Sequence, residues 1–330
     1  MIYRRLAQFT ALLAFVVIVV GAYVRLEDAG LGCPDWPGCY GQLIGIPQAA
    51  HEVEQAERVF PGRPVDAGRA RKEMLHRYLA GLLGLLVVVI AVSALRRRSD
   101  SHPAALPIAL LALVVFQATL GMWTVTLLLK PAVVTLHLIG GMTTFALLTW
   151  LALREMRPAA PSLIAAQRLR PWTVAALTIL ACQIALGGWV SSNYAALACP
   201  DLPTCHGEWV PDMDFRNAFH AVRELGVTVA GAPLPHEALT AIHWSHRVGA
   251  LATLLVLGGL ALVLMRTAGF LGQGVALLLL VGAQLALGIA NVAARLPLAL
   301  AVAHNAGAAV LLAVLVMLNF TVFQGANGRD

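Results

Sequence analysis

Apolar residues run through this chain in long unbroken stretches, neither alternating as in a strand nor confined to one stripe as on a soluble helix. Stretches of about 18 or more such residues read as bilayer-spanning helices. They recur near residues 6–25, 74–95, 104–127, 132–153, 172–191, 238–265, 271–293 and 298–323. The pattern predicts an all-α integral membrane protein with eight transmembrane helices. The first stretch follows Met1-Ile2-Tyr3-Arg4-Arg5, as a cleaved signal peptide would. Its apolar run is long and has a counterpart later in the chain, so it is read as a helix.

Composition supports the class and charge orients it. Of 330 residues, 59% are hydrophobic and 12% charged, far from the average of soluble domains. Arg96, Arg97 and Arg98, then Arg154, Arg157, Arg168 and Arg170, then Arg266 fall in short connections on the side of the basic N-terminus. Short basic loops stay in the cytoplasm, which predicts a multi-pass plasma (inner) membrane protein with both termini inside. The long connections, about 26–72 and 192–237, then lie outside. The net charge of +6 is accounted for by this topology and implies no nucleic acid.

Four of the five cysteines make two closely spaced pairs, Cys33/Cys39 and Cys199/Cys205, in the long outer loops, where disulfides persist. The fifth, Cys182, sits within an apolar span and reads as a small buried apolar residue. The two pairs also reveal a duplication. Gly32-Cys33-Pro34-Asp35-Trp36-Pro37-Gly38-Cys39 matches Ala198-Cys199-Pro200-Asp201-Leu202-Pro203-Thr204-Cys205 at an offset of 166. Nearly the same shift carries His76-Arg77 toward His246-Arg247 and His137 toward His304.

A repeat of four spans keeps its orientation, so two four-helix bundles related by a pseudo-twofold axis along the membrane normal are expected. Their bounds would be 1–153 and 172–330, joined by a cytoplasmic linker at 154–171. A second signature, Gln-x-x-Leu-Gly, begins at Gln117, Gln183 and Gln284. It reads either as close helix packing through the glycine or as glutamines bonding across the bundle. Helical spacing of Phe215, Phe219, Val222 and Leu225 predicts a helix in the second outer loop, and each long loop is expected to lie as a lid over the bundle.

Five histidines, His51, His102, His206, His220 and His236, fall in or beside loops, where solvation explains them. His76, His137, His246 and His304 lie in the four spans that enter from outside, three to eight residues below their expected starts. An intramembrane histidine is costly and functional by default. Facing imidazole pairs suit Zn, Cu or haem iron. A structural zinc site wants four ligands, whereas each half supplies two in Gly-rich surroundings able to accept a flat macrocycle. Haem fits better. Arg77 and Arg247 follow the first histidine of each pair and either meet propionates or snorkel to lipid phosphate.

The halves differ at one informative point. Glu73-Met74-Leu75-His76-Arg77 becomes His243-Trp244-Ser245-His246-Arg247. A carboxylate one turn before His76 shares its face and either handles protons beside the metal or complements the helix N-terminus. His243 is a second-shell group or an alternative ligand.

Together, the Glu-x-x-His-Arg of the second span, the histidines of spans four, six and eight, and the two outer Cys-x5-Cys loops resemble the haem A synthase family over nearly the whole chain. The resemblance implies an oxidoreductase that converts the C8 methyl of haem O to the formyl of haem A for terminal cytochrome oxidase, with water as the oxygen source. It implies that His246 and His304 ligate a resident haem B, that His76 and His137 define the site of the substrate haem O, and that Glu73 is catalytic. It also implies disulfides at Cys33–Cys39, redox-active, and at Cys199–Cys205, structural. Haem O synthase, oxidase assembly factors and an electron carrier would be partners. The alternative from another class is a non-catalytic diheme b-type cytochrome relaying electrons.

Overall fold

The structure, a computed structural model, describes residues 1–97, 103–156 and 162–327. Arg98, His102 and Arg157 lie outside the described residues. The described helices are α1 (Ile2–Leu26), α2 (Ala50–Val59), α3 (Ala67–Arg96), α4 (Ala105–Thr126), α5 (Pro131–Met156), α6 (Leu163–Ser192), α7 (Phe215–Ala218), α8 (His236–Met265), α9 (Leu271–Ala293) and α10 (Leu298–Asn327). All but α2 and α7 are long and apolar enough to cross a membrane, which gives the expected eight spans.

Helix α3 begins above the predicted span because Asp66 caps it, its side chain accepting from the Arg69 amide at 3.0 Å. Helix α8 likewise begins early, at His236. These added turns carry the long loops. Cys33, Cys39, Tyr40, Ile46 and Ala56 pack on Ala70 and Met74 at the top of α3, and Ala195 and Ala218 pack on Ala238, Ala241 and Ile242 at the top of α8. His76 and His246 therefore sit nine and ten residues into their helices, about 14 and 15 Å at 1.5 Å per residue. His137 and His304 each sit six residues in, about 9 Å.

Helix α1 packs on α3, α5 and α10, while α6 packs on α8, α10 and α5, and α5 meets α10 directly. Left-handed backbone also recurs along the chain. Asp28 and Tyr194, Tyr40 and His206, and Leu129 and Leu296 all have φ between 52° and 63°. Non-glycine residues hold this conformation at a cost of order 1 kcal/mol each, so the turns are imposed by the packing around them. At the end of the bundle that carries the long loops, Arg25 donates to the Ser191 carbonyl at 2.8 Å and stacks 4.2 Å over the Tyr194 ring. Tyr194 in turn donates to Asp28 at 2.8 Å.

Two expectations need correction. The helix around Phe215 is a single turn, ending at Ala218. Arg223 is buried there, with its guanidinium 2.5 Å from Asn193 Oδ1 and 3.2 Å from the Asn217 carbonyl, and pulling it inward turns the chain out of helix. Burial lowers the Arg223 pKa. Val222, predicted on the packed face, is 71% exposed. Cys182 is exposed rather than buried, on a helix face that lipid would cover. The described parts of 154–171 are helical extensions of α5 and α6, the latter started by the Ser162 cap.

Candidate functional site

Both cysteine pairs are disulfides, Cys33–Cys39 and Cys199–Cys205. Each closes a hairpin organised by an aspartate. Asp35 accepts from the amides of Tyr40 at 2.6 Å and Gly41 at 2.8 Å, and Asp201 accepts from those of His206 at 2.6 Å and Gly207 at 3.0 Å. The Thr204 hydroxyl and the Gly207 amide hold Asp201 well below the usual carboxylate range. Gly41 and Gly207 follow at φ +80° and +79°, the region glycine enters at no steric cost.

The hairpins are tied to the histidine-bearing helices by the pair that differs between the halves. Glu73, 4% exposed, accepts from the Cys33 amide at 2.9 Å through Oε2 and from Arg77 Nη2 at 2.5 Å through Oε1. Arg77 Nη1 donates to the carbonyls of Asp35 at 2.9 Å, Pro37 at 3.3 Å and Gly38. In the second half, His243 Nδ1 accepts from the Cys199 amide at 3.1 Å. Arg247 donates to the carbonyls of Cys199 at 2.7 Å, Asp201 at 2.9 Å and Thr204 at 2.9 Å.

A neutral imidazole accepts at one nitrogen only, so His243 is spent on the loop much as Glu73 is. What distinguishes the halves is charge: Glu73 forms a buried ion pair with Arg77, while Arg247 has the neutral His243 at 3.3 Å. Both arginines expected at propionates are turned to the loops, and a propionate would share their donors.

One turn below lie the four histidines. Among the described residues α3 and α5, which carry His76 and His137, are not packed directly on one another, nor are α8 and α10, which carry His246 and His304. Each ring rests on a glycine of an adjacent helix. A Cβ at Gly21 would stand 2.8 Å from His76 Cε1, one at Gly121 3.4 Å from His137, one at Gly187 3.2 Å from His246 and one at Gly288 3.3 Å from His304. The Nδ1 atoms of His76, His137 and His304 are buried and make no hydrogen bond within the protein.

Among the described residues no three His, Cys, Asp or Glu side chains converge on one point. Two imidazoles in each half, each ring seated on glycine, would fit haem iron. The ring platforms were half legible beforehand: three of the four glycines end the Gln-x-x-Leu-Gly signature, but Gly21 follows Val17 in place of glutamine and was missed. Subtracting 166 from Gly187 would have found it.

The platform has a measurable consequence. Gly21→Ala should force the His76 ring aside and cost about 1–3 kcal/mol, the usual scale of overpacking. Gly81→Ala, whose Cβ meets nothing within 4 Å, should be neutral or better. Thermal melts of the two variants compare them, and equal melting temperatures would rule out a tight platform.

Comparison with known proteins gives concordant results. Residues 4–316 match COX15-CtaA, a family described as cytochrome oxidase assembly protein. The chain is 43% identical over 326 residues to a haem A synthase of Shewanella oneidensis, covering 98% of each. It is 30% identical over 295 residues to one from Shouchella clausii, covering 87% of this chain and 90% of the relative. Against one from Caulobacter vibrioides it is 28% identical over 325 residues, 92% of this chain and 91% of the relative.

Proposed function

The chain belongs to the COX15-CtaA family of cytochrome oxidase assembly proteins and functions in haem A synthesis, and from that premise we propose how its two halves divide the work. Residues 1–153 hold the substrate haem O between His76 and His137. Residues 172–330 hold a resident haem B between His246 and His304, and 154–171 join them on the cytoplasmic side. The observation that carries this reading is the matched pair of imidazole pairs, each ring seated on a glycine of a neighbouring helix.

The reaction turns the C8 methyl into a formyl group. With water as the oxygen source the balance is CH3 plus H2O giving CHO, four protons and four electrons, the electrons leaving to a carrier. Haem iron, when bound, supplies the redox chemistry that side chains lack. The protein's own groups orient and move protons. The Gly-seated rings would hold the haem iron, and Glu73, one turn above His76, is the buried carboxylate positioned to handle the protons released there. The Cys33–Cys39 hairpin, bonded to Glu73 through the Cys33 amide, places a redox-active disulfide on the same network, whereas Cys199–Cys205 is structural.

The experiment is haem extraction from the purified protein and from cells supplied with a haem O source, followed by chromatography and mass measurement. Haem B in the protein and haem A in the cells are expected. Haem B alone, with no haem A above the empty-vector level, would instead establish an electron-relaying diheme cytochrome.

The arginine distribution places both long loops outside the cytoplasm in this reading. Reporter fusions near residues 50 and 215 should register on the outer face. Cytoplasmic signals from both would reverse the topology and leave the disulfides in a reducing compartment.

A further inference from the structure

The three signature glutamines share a placement. Gln183 Nε2 donates to the main-chain carbonyl of His246 at 3.0 Å and lies 3.1 Å from its ring Nδ1, and Gln284 Nε2 donates to the carbonyl of His304 at 2.9 Å. The amides of Gln117, Gln183 and Gln284 fill the space that a Cβ would take at Gly140, Gly249 and Gly307, the residue three after each histidine. Glutamine on one helix thus goes with glycine on the other, because the amide needs the room. The fourth helix pair breaks the pattern on both sides at once. In the repeat register the glutamine position is Val17 on α1, and the residue three after His76 is Leu79 on α3. Both pack against the apolar core.

A hydrogen bond to the histidine carbonyl demands a fixed register of the two helix turns. An aliphatic contact is non-directional and tolerates a small slide. The His76 ring also has the tightest seat, with Gly21 closer than any of the other three glycines. We infer that Gln183 and Gln284 are positioning residues that lock the His246 and His304 turns by hydrogen bonds, that Gln117 fills the matching space beside His137 by packing alone, its Nε2 making no hydrogen bond, and that Val17 and Leu79, in place of glutamine and glycine, leave His76 the most readily exchanged ligand. The inference rests on the bis-histidine reading above. It gives that reading a direction: neither ligand turn of the haem that must arrive and depart is held by a glutamine hydrogen bond, whereas both ligand turns of the resident haem are.

Cyanide competes with an axial imidazole for ferric haem and tests this without turnover. The purified full-length protein is loaded with ferric haem B at both sites, the haem-to-protein ratio is taken, and the Soret band is followed after mixing with cyanide. Two phases of equal amplitude are expected, the fast one at least ten-fold faster. Val17→Gln combined with Leu79→Gly should merge the fast phase into the slow one. The opposite exchange in the second half, Gln183→Val with Gly249→Leu, should convert the slow phase to a fast one. Melting temperatures taken alongside separate a loosened ligand from a damaged bundle, which would raise both rates together.

A single phase in the wild type, or a fast phase unmoved by the first exchange, would overturn the inference. Should the first exchange not fold, an unchanged slow phase in the second does so alone. A protein that takes up no second low-spin haem fails at the loading step and overturns the bis-histidine reading instead.

Discussion

Glu73→His is expected to fold, keep its outer disulfide loop in place and make no haem A. Histidine already performs the loop-holding part of this role at position 243, where its Nδ1 accepts from the Cys199 amide, so the substitution restores the neighbouring half's arrangement and removes only the carboxylate. Glu73→Gln makes the same separation differently, retaining an acceptor for the Cys33 amide while losing the charge opposite Arg77. If the carboxylate handles protons beside the substrate, both variants should lose about 10²–10⁴-fold in turnover, the range for general acid–base groups. Both variants also lose the buried Glu73–Arg77 ion pair, so their melting temperatures should fall together, while haem B content should hardly move.

Glu73→Ala is the poorer probe. It would leave a buried Cys33 amide without its acceptor and Arg77 without its partner, and breaking a buried ion pair costs about 3–5 kcal/mol. Loss of haem A from that variant would not separate chemistry from collapse. Haem A at wild-type level from Glu73→His, assayed as haem composition in cells with a haem O source, would make Glu73 a loop anchor only.

The second large effect concerns the resident haem. His246→Ala and His304→Ala should each purify with at least ten-fold less haem B, because an axial imidazole is the protein's covalent hold on the iron. His243→Ala should keep its haem and loosen its loop, since its Nδ1 serves the Cys199 amide. His220→Ala, in the second outer loop, should keep both. The reading is the haemochrome spectrum per mole of protein. Full haem retention in both His246→Ala and His304→Ala would place the ligands elsewhere.

The eight spans, the two cysteine pairs and the four-histidine repeat were legible in the sequence by itself. A bilayer demands that each segment satisfy its own backbone and be apolar for its whole length, which is a one-dimensional property. A duplication likewise shows as an offset that needs no geometry. The partner of each side chain was not legible. In a membrane, apolar residues face lipid and protein alike, so periodicity does not mark the buried face; Cys182 turned outward for that reason. Nor does an offset say what a substituted residue does.

Glu73 and His243 read as an asymmetry of chemistry, yet in space both accept from the first amide of a disulfide loop, and they differ in charge alone. The helix expected beyond Phe215 ended after one turn because burying Arg223 against Asn193 overrode local spacing. The seat of His76 on Gly21, and the exchange of a glutamine–glycine contact for Val17–Leu79, involve residues some sixty positions apart. Those could be decided only by the packing of α1 on α3.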